Sequence, residues 1–213
     1  MRLFLVRHGQ TAWNADMRAQ GHTDIELDDV GEVQARQLGQ ASMGIGVAQI
    51  VTSDLKRAAR TAKAIAEAVE VPLHTDPALR ERSFGSYEGM KFAELSACLA
   101  QQRHIEGLDE YDVRPPKGES LRDAWNRLQP FAKVLFTETR NTLVVAHGAS
   151  CSLLLAHLVK GSIETSRAFR FGNASLTELI RRPEGIFQIL RYNDTSHLTT
   201  HQPLVGTIDG ASR

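Results

Sequence analysis

Two short apolar runs in the sequence each end in residues that can bind an oxyanion. Leu3–Val6 leads into Arg7, His8 and Gly9, and Leu143–Ala146 leads into His147 and Gly148. Each run has the length and composition of a buried β-strand. If the two strands are parallel neighbours, His8 and His147 emerge side by side at the sheet edge where open α/β folds bind ligands. Because both imidazoles and the Arg7 guanidinium can donate hydrogen bonds, the sequence predicts a phosphate site there.

The rest of the chain alternates between short strands and amphipathic helices, a pattern that predicts an α/β fold. The predicted elements are a helix capped by Asp28, a strand at Ile50–Thr52, a helix capped by Ser53 or Asp54, an edge strand at Val71–His74, helices at Lys91–Gln102 and Glu119–Glu138, and a hairpin of Ser175–Ile180 and Ile186–Tyr192. Pro130 lies inside the longest of these helices. A kink or a break is expected there, because proline cannot donate the helical hydrogen bond.

Two segments are expected to cover the strand ends, a loop without clear periodicity and a helix with the long connection that follows it. The first, Thr11–Glu26, is polar and follows the first motif directly. The second, at about residues 90–118, is predicted to act as a lid, because connections of this length inside a compact domain are usually functional. Within it, Arg103, Arg114 and Lys117 are candidates to contact the part of a substrate that lies beyond its phosphate.

Composition predicts a single domain over residues 1–213, with a mobile polar tail at about 197–213. Lys plus Arg and Asp plus Glu both number 25, so the chain has no net charge to attract nucleic acid or a membrane surface. Cys98 and Cys151 lack the spacing of a zinc site or an activated thiol. No window approaches the roughly 20 apolar residues that span a bilayer. We therefore expect a soluble cytoplasmic protein.

Six short motifs occur in the order in which one known family carries them. They are Arg7-His8-Gly9-Gln10-Thr11 with Asn14, Gln20-Gly21, Ser53-Asp54-Leu55-Lys56-Arg57-Ala58, Glu81 before Phe84-Gly85-Ser86-Tyr87-Glu88-Gly89, Gly118-Glu119-Ser120, and His147-Gly148. In these residues the chain resembles the histidine phosphatases, which include the cofactor-dependent phosphoglycerate mutases. The resemblance implies a three-layer α/β/α sandwich with a mostly parallel central sheet. It also implies a small phosphorylated metabolite as the substrate.

The resemblance further implies catalytic roles for five residues. His8 would take the phosphoryl group on one ring nitrogen while a backbone carbonyl holds the proton on the other. Arg7, Arg57 and His147 would surround the phosphoryl oxygens, so that no metal or other cofactor is required. Glu81 would protonate the leaving alkoxide and then deprotonate the water that cleaves phosphohistidine. From the residues alone, Glu81 fits a surface ion-pair network equally well. The positions that match substrate-binding residues of the family are Asn14, Gln20, Gly21 and Gly148.

Three functions remain open at this point. The first is a metal-independent phosphatase, the second is a phosphoglycerate mutase, and the third is a non-catalytic phospho-ligand binder or signalling protein. The mutases carry Glu-Arg-His-Tyr-Gly at the acid position, whereas this chain has Glu-Arg-Ser-Phe-Gly from Glu81 onward, which resembles the phosphatase branch. The chain also lacks the extra mutase segment before the second histidine. The sequence does not select one phosphomonoester, and it leaves open whether the chain forms a homodimer.

Overall fold

A six-stranded mixed sheet forms the centre of the fold in the computed structural model, which describes residues 1–199. The strands are β1 (Arg2–Arg7), β2 (Gln49–Thr52), β3 (Leu73–Thr75), β4 (Thr142–Ala146), β5 (Leu176–Arg181) and β6 (Phe187–Asp194). Their order is β3-β2-β4-β1-β5-β6. The first four strands are parallel, β5 pairs antiparallel with β1, and β6 pairs antiparallel with β5. The mostly parallel sheet and the C-terminal hairpin predicted from the sequence are confirmed.

The helices cover both faces of this sheet. They are α1 (Ala12–Ala15), α2 (Asp29–Ala41), α3 (Lys56–Val69), α4 (Phe92–Glu106), α5 (Leu121–Thr137) and α6 (Gly148–Leu158). Side chains of β1 alternate between the two sides: Leu3 and Leu5 join a core with α5 and α6, while Phe4 and Val6 join a core with α2 and α3. All four are fully buried, and each stabilises the fold by about 1.5–3 kcal/mol. The predicted three-layer α/β/α arrangement is therefore confirmed.

Two helix predictions need correction. Helix α3 is not capped by Ser53 or Asp54, because it begins at Lys56, whose N–H donates to the Asp24 carboxylate 2.7 Å away. Helix α5 continues through Pro130 without a break, and a kink there stays a prediction. Pro130 and Asn126, whose carbonyl would have accepted a hydrogen bond from position 130, are both exposed, so water can satisfy that carbonyl.

The segment predicted as a lid consists of α4 and a connection that is tied to α5. Ion pairs between Arg122 and Asp112 and between Arg114 and Asp123 hold the connection in place. Its action as a lid stays a prediction. Of the tail predicted to be mobile, residues 200–213 lie outside the described residues, whereas Leu198 is buried in the core beneath α2. In the described part of the chain, no helix combines the length and apolar character needed to cross a bilayer.

Candidate active site

His8 lies at the carboxyl end of β1, where its ring is almost completely buried. Its Nδ1 atom lies 2.6 Å from the Gly9 carbonyl oxygen. Because a carbonyl can only accept, Nδ1 carries the proton and Nε2 keeps a lone pair. Burial, together with the charges of Arg57 and Arg7, lowers the pKa of His8 well below its usual value of 6.5. His8 is therefore a neutral imidazole whose Nε2 is free to attack.

His147 follows the parallel neighbour strand β4, and its ring centroid lies 5.1 Å from that of His8. Arg57 Nε donates to His147 Nδ1 across 3.2 Å, so the single proton of this neutral ring lies on Nε2. Burial and the Arg57 charge lower the pKa of His147 well below 6.5. The buried Nε2 finds no hydrogen-bond partner within residues 1–199. Such a donor is suited to an oxygen of a bound anion.

Arg57 lies in the first turn of α3 and is completely buried. Beyond its bond to His147, its guanidinium donates to the carbonyl oxygens of Thr23 at 2.9 Å and Gly21 at 2.7 Å. No carboxylate of residues 1–199 forms an ion pair with it. Burial lowers the pKa of Arg57 to about 10, so it stays charged at neutral pH. A buried cation held only by neutral groups favours an anionic ligand.

Arg7 and Glu81 line the same cavity as His8 and Arg57. Arg7 Nη1 donates to the Phe171 carbonyl across 2.7 Å, and burial lowers the pKa of the guanidinium, an effect that the Glu81 charge opposes. Gly148 lies between them: a Cβ atom on Gly148 would be 3.7 Å from both Arg7 Nε and Glu81 Oε2. The absence of a side chain at position 148 therefore leaves open the space between the cation and the carboxylate.

Main-chain donors hold the Glu81 carboxylate at the N-terminus of α6. Oε1 accepts from the N–H groups of Arg82 at 2.9 Å and Ser150 at 3.2 Å, and Oε2 accepts from that of Ala149 at 3.1 Å. Arg127 fixes the same segment by donating to three carbonyls, including that of Glu81. Within residues 1–199, Glu81 therefore belongs to no surface ion-pair network, since backbone N–H groups bind its carboxylate beside His147.

The other predicted substrate-binding residues have different surroundings. Asn14 and Gln20 are buried and line the cavity. Asn14 Oδ1 accepts from Thr11 N at 3.1 Å and from Asn173 Nδ2 at 3.2 Å. Gly21 also borders the cavity, but with φ of +53° it has a conformation that favours glycine, and the Glu88 carboxylate occupies the place of a side chain there. Its carbonyl holds Arg57.

Arg103 and Arg114, which we expected to contact a substrate, do not border this cavity. Glu110 and Asp123, which lie in or near the same segment, pair with them. Lys117 is exposed and also lies outside the cavity lining. The nearby carboxylates of Glu110 and Asp123 therefore hold Arg103 and Arg114 outside the cavity lining.

The structure adds cavity residues that the sequence reasoning missed. They are Arg18, Phe84, Phe92, Ala149, Ser152, Phe169, Arg170 and Phe171. Asn173 is a further missed residue, because its amide donates to the carbonyls of His8 at 3.0 Å and Gly9 at 3.2 Å. The segment that carries it precedes β5, and a prediction that β5 pairs with β1 would have located it beside His8.

Comparison with known proteins identifies the family. Residues 3–195 match the family model described as the histidine phosphatase superfamily, branch 1. The chain belongs to this superfamily. It is 36% identical over 197 residues to the uncharacterized phosphatase PhoE of Bacillus subtilis, which covers 92% of this chain and 95% of that protein. It is 34% identical over 183 residues to a probable phosphoglycerate mutase GpmB of Erwinia tasmaniensis, with 84% of each chain covered.

Solved structures of this superfamily share the fold. One is a phosphoserine phosphatase mutant of Entamoeba histolytica in complex with phosphoserine, at a TM-score of 0.77 and 31% identity, with 92% of this chain and 98% of that chain covered. Membership of the histidine phosphatase superfamily, together with phosphatases among the similar structures, supports an enzyme.

Proposed function

We propose that this chain is a metal-independent phosphatase that hydrolyses a small phosphomonoester through a phosphohistidine on His8. The observation that carries the proposal is the neutral His8 ring, whose proton is bound to the Gly9 carbonyl while Nε2 keeps its lone pair. Phosphoryl transfer requires an in-line nucleophile and groups that match the charge of the equatorial oxygens. His8 supplies the nucleophile, and its neighbours supply the charge.

In the first half-reaction, the lone pair of His8 Nε2 forms a bond to phosphorus as the bond from phosphorus to the leaving oxygen breaks. Glu81 acts as the general acid and donates a proton to that oxygen as the alcohol leaves. In the second half-reaction, Glu81 accepts a proton from water as the water oxygen bonds to phosphorus. The P–N bond then breaks, its electron pair returns to His8, and phosphate leaves.

Arg7, Arg57 and the Nε2–H of His147 would bind the oxygens of the phosphoryl group throughout both steps. Their positions are fixed before a substrate arrives, because Arg57 is bound to two carbonyls and to His147. Loss of one preorganised donor of this kind typically lowers the rate by about 10²–10³-fold. Two guanidinium groups and an imidazole N–H would provide the charge that a metal ion supplies in other phosphatases.

The direct test is hydrolysis of p-nitrophenyl phosphate in excess EDTA. We expect turnover that is unaffected by the chelator, inhibition by vanadate, and an acid-labile phosphoenzyme that is absent from a folded His8→Ala variant. Complete loss of turnover in EDTA that returns on adding a divalent metal would contradict the proposal.

A phosphoglycerate mutase is the second candidate, because similar relatives include proteins named probable phosphoglycerate mutase. The two functions differ in the acceptor of the phosphoryl group, which is water in one case and a second hydroxyl in the other. Incubation with 2-phosphoglycerate, with and without 2,3-bisphosphoglycerate, separates them. Free phosphate supports the phosphatase, and 3-phosphoglycerate formed without phosphate release supports the mutase.

A further inference from the structure

Glu88 accepts five hydrogen bonds from neutral donors, although neither the family resemblance nor the proposed chemistry gives it a role. Its Oε1 accepts from His22 N at 2.9 Å, Phe84 N at 3.2 Å and Ser83 Oγ at 3.3 Å. Its Oε2 accepts from Thr23 N at 2.8 Å and from the Thr23 hydroxyl. Within residues 1–199, no lysine, arginine or histidine forms an ion pair with it. This carboxylate therefore binds mainly backbone N–H groups and hydroxyls, and these donors belong to two separate loops, at residues 22–23 and 83–84.

One of those loops also holds Arg57. The peptide group that joins Gly21 to His22 donates its N–H to Glu88 and accepts from Arg57 Nη2 through its carbonyl. Glu88 and Arg57 thus lie on opposite sides of a single peptide group. A carboxylate on the N–H side and a guanidinium on the carbonyl side polarise that group in the same direction, which strengthens both hydrogen bonds. Thr23 also links the two side chains, since its N–H donates to Glu88 and its carbonyl, in the next peptide group, accepts from Arg57.

The position of the Glu88 carboxylate explains why residue 21 is a glycine. A Cβ atom on Gly21 would lie 2.1 Å from Glu88 Oε1 and 2.7 Å from its Cδ. The carboxylate packs against the Gly21 main chain at a distance that no side chain permits. Positions 21 and 88 therefore depend on each other.

The second loop carries the proposed general acid. Ser83 and Phe84 follow Glu81 by two and three residues, and both donate to Glu88. A single carboxylate thus joins the segment that presents Glu81 to the turn that orients Arg57. We propose that Glu88 is a positioning residue for phosphoryl transfer, acting through the Gly21–His22 peptide on Arg57. This inference rests on the proposed function, because Arg57 must bind the phosphoryl group for its orientation to affect turnover.

The test is a double-mutant cycle between Glu88→Gln and Arg57→Lys. A glutamine keeps the size of the side chain but replaces one acceptor oxygen by an amide that confronts main-chain donors. Alone, it should lower kcat/KM for p-nitrophenyl phosphate by about 10- to 100-fold and weaken vanadate binding comparably, because small displacements of a positioning group are costly. In the Arg57→Lys background, where the lysine cannot bind both carbonyls, the same change should cost less than about threefold.

Glu94→Gln is the matched control. Glu94 is an exposed carboxylate at the start of α4 that also accepts a main-chain N–H, from Lys91. Its substitution should leave both activity and vanadate affinity within about twofold of the unmodified protein, since exposed changes away from special features have small effects.

Two results would overturn the inference: a Glu88→Gln variant within twofold of the unmodified protein, or an equal loss with and without Arg57. Vanadate affinity is measured by calorimetry in parallel. If the protein binds vanadate but hydrolyses nothing, the proposed phosphatase is refuted, and the role of Glu88 is still tested by the vanadate affinity of the variants. A protein that does not bind vanadate refutes both. If Glu88→Gln fails to fold by circular dichroism, Thr23→Val removes the hydroxyl donor alone and must show a smaller loss that disappears in the Arg57→Lys background.

Discussion

His8 and His147 have opposite tautomers in the same cleft. His8 Nδ1 donates to the Gly9 carbonyl, whereas His147 Nδ1 accepts from Arg57 Nε. The two Nε2 atoms therefore differ: that of His8, which lines the cavity, keeps a lone pair, and that of His147, which is buried beside His8, carries a proton. Neighbouring imidazoles with identical surroundings would compete for the same role, but here one can attack phosphorus while the other donates to an oxygen.

Replacing Arg57 by lysine should lower kcat/KM by about 10²–10³-fold. Lysine keeps a positive charge, but a single ammonium cannot reach His147 Nδ1 and the two carbonyls that orient the guanidinium. Steady-state kinetics on p-nitrophenyl phosphate measures the loss. Arg60→Lys is the control, because Arg60 is exposed one turn further along α3, where it pairs with Glu32, and it should retain activity. Equal losses in both variants would show that the contacts of Arg57 in the cleft are not the cause of the loss.

Gly148→Ala should keep or raise stability and yet impair catalysis. A Cβ there would make ordinary contacts of 3.7 Å with Arg7 and Glu81, and alanine is favoured over glycine in a helix by up to about 1 kcal/mol. The methyl group would, however, occupy the space in which a phosphoryl group must lie between these two side chains. We expect at least about a tenfold fall in kcat/KM, in keeping with the cost of misplacing reacting groups. Thermal unfolding and kinetics on one preparation test both halves, and unchanged kinetics would locate the phosphoryl group elsewhere.

Apolar runs were enough to predict the two strands that carry His8 and His147, and the two histidines were expected to meet only if those strands were parallel neighbours. Leu3–Val6 and Leu143–Ala146 are buried on both faces as central strands, and because they pair in parallel, both end at the same edge of the sheet. The place of Arg57 in the site could be predicted only from the family resemblance. Without that resemblance, a cation in the first turn of a helix indicates a solvated side chain.

Residues whose roles depend on distant partners could not be predicted. Glu88 receives hydrogen bonds from a loop 65 and 66 positions away, and Asn173 binds a carbonyl 165 positions away. Neither has a local pattern that differs from that of a surface residue. The expectation for Arg103 and Arg114 failed for the related reason that their acidic partners, Glu110 and Asp123, become neighbours only after folding.

Glu81→Gln should trap the phosphoenzyme. The first half-reaction with p-nitrophenyl phosphate needs little acid catalysis because the leaving phenolate is stable, whereas attack by water needs a base in every case. The variant should release one equivalent of nitrophenol in a burst and then turn over about 10²–10⁴-fold more slowly than the unmodified protein. Rapid-quench kinetics and acid-labile phosphate on His8 measure these two quantities. A variant that loses the burst as well would mean that Glu81 is required for phosphorylation even with a good leaving group.

Stability should decrease below about pH 6.5 because of the two buried histidines. Burial and nearby arginine charges lower the pKa of His8 and His147 well below 6.5 in the folded protein. Between these lowered values and 6.5, the unfolded chain binds protons that the folded chain does not, so the free energy of unfolding falls as pH falls. Each histidine contributes a slope of up to about 1.4 kcal/mol per pH unit.

Urea unfolding between pH 5.0 and 7.5 measures this slope. The slope should become shallower in His8→Asn and shallower again when His147→Asn is added. His104→Asn, at an exposed position of α4, is the control for the loss of an imidazole and should leave the slope unchanged. Carboxylates with lowered pKa values, such as Asp123 at about 2, contribute with the same sign only at more acidic pH. An unchanged slope in the double variant would show that both rings take up protons as readily in the folded protein as in the unfolded chain, which would contradict the lowered pKa values of His8 and His147.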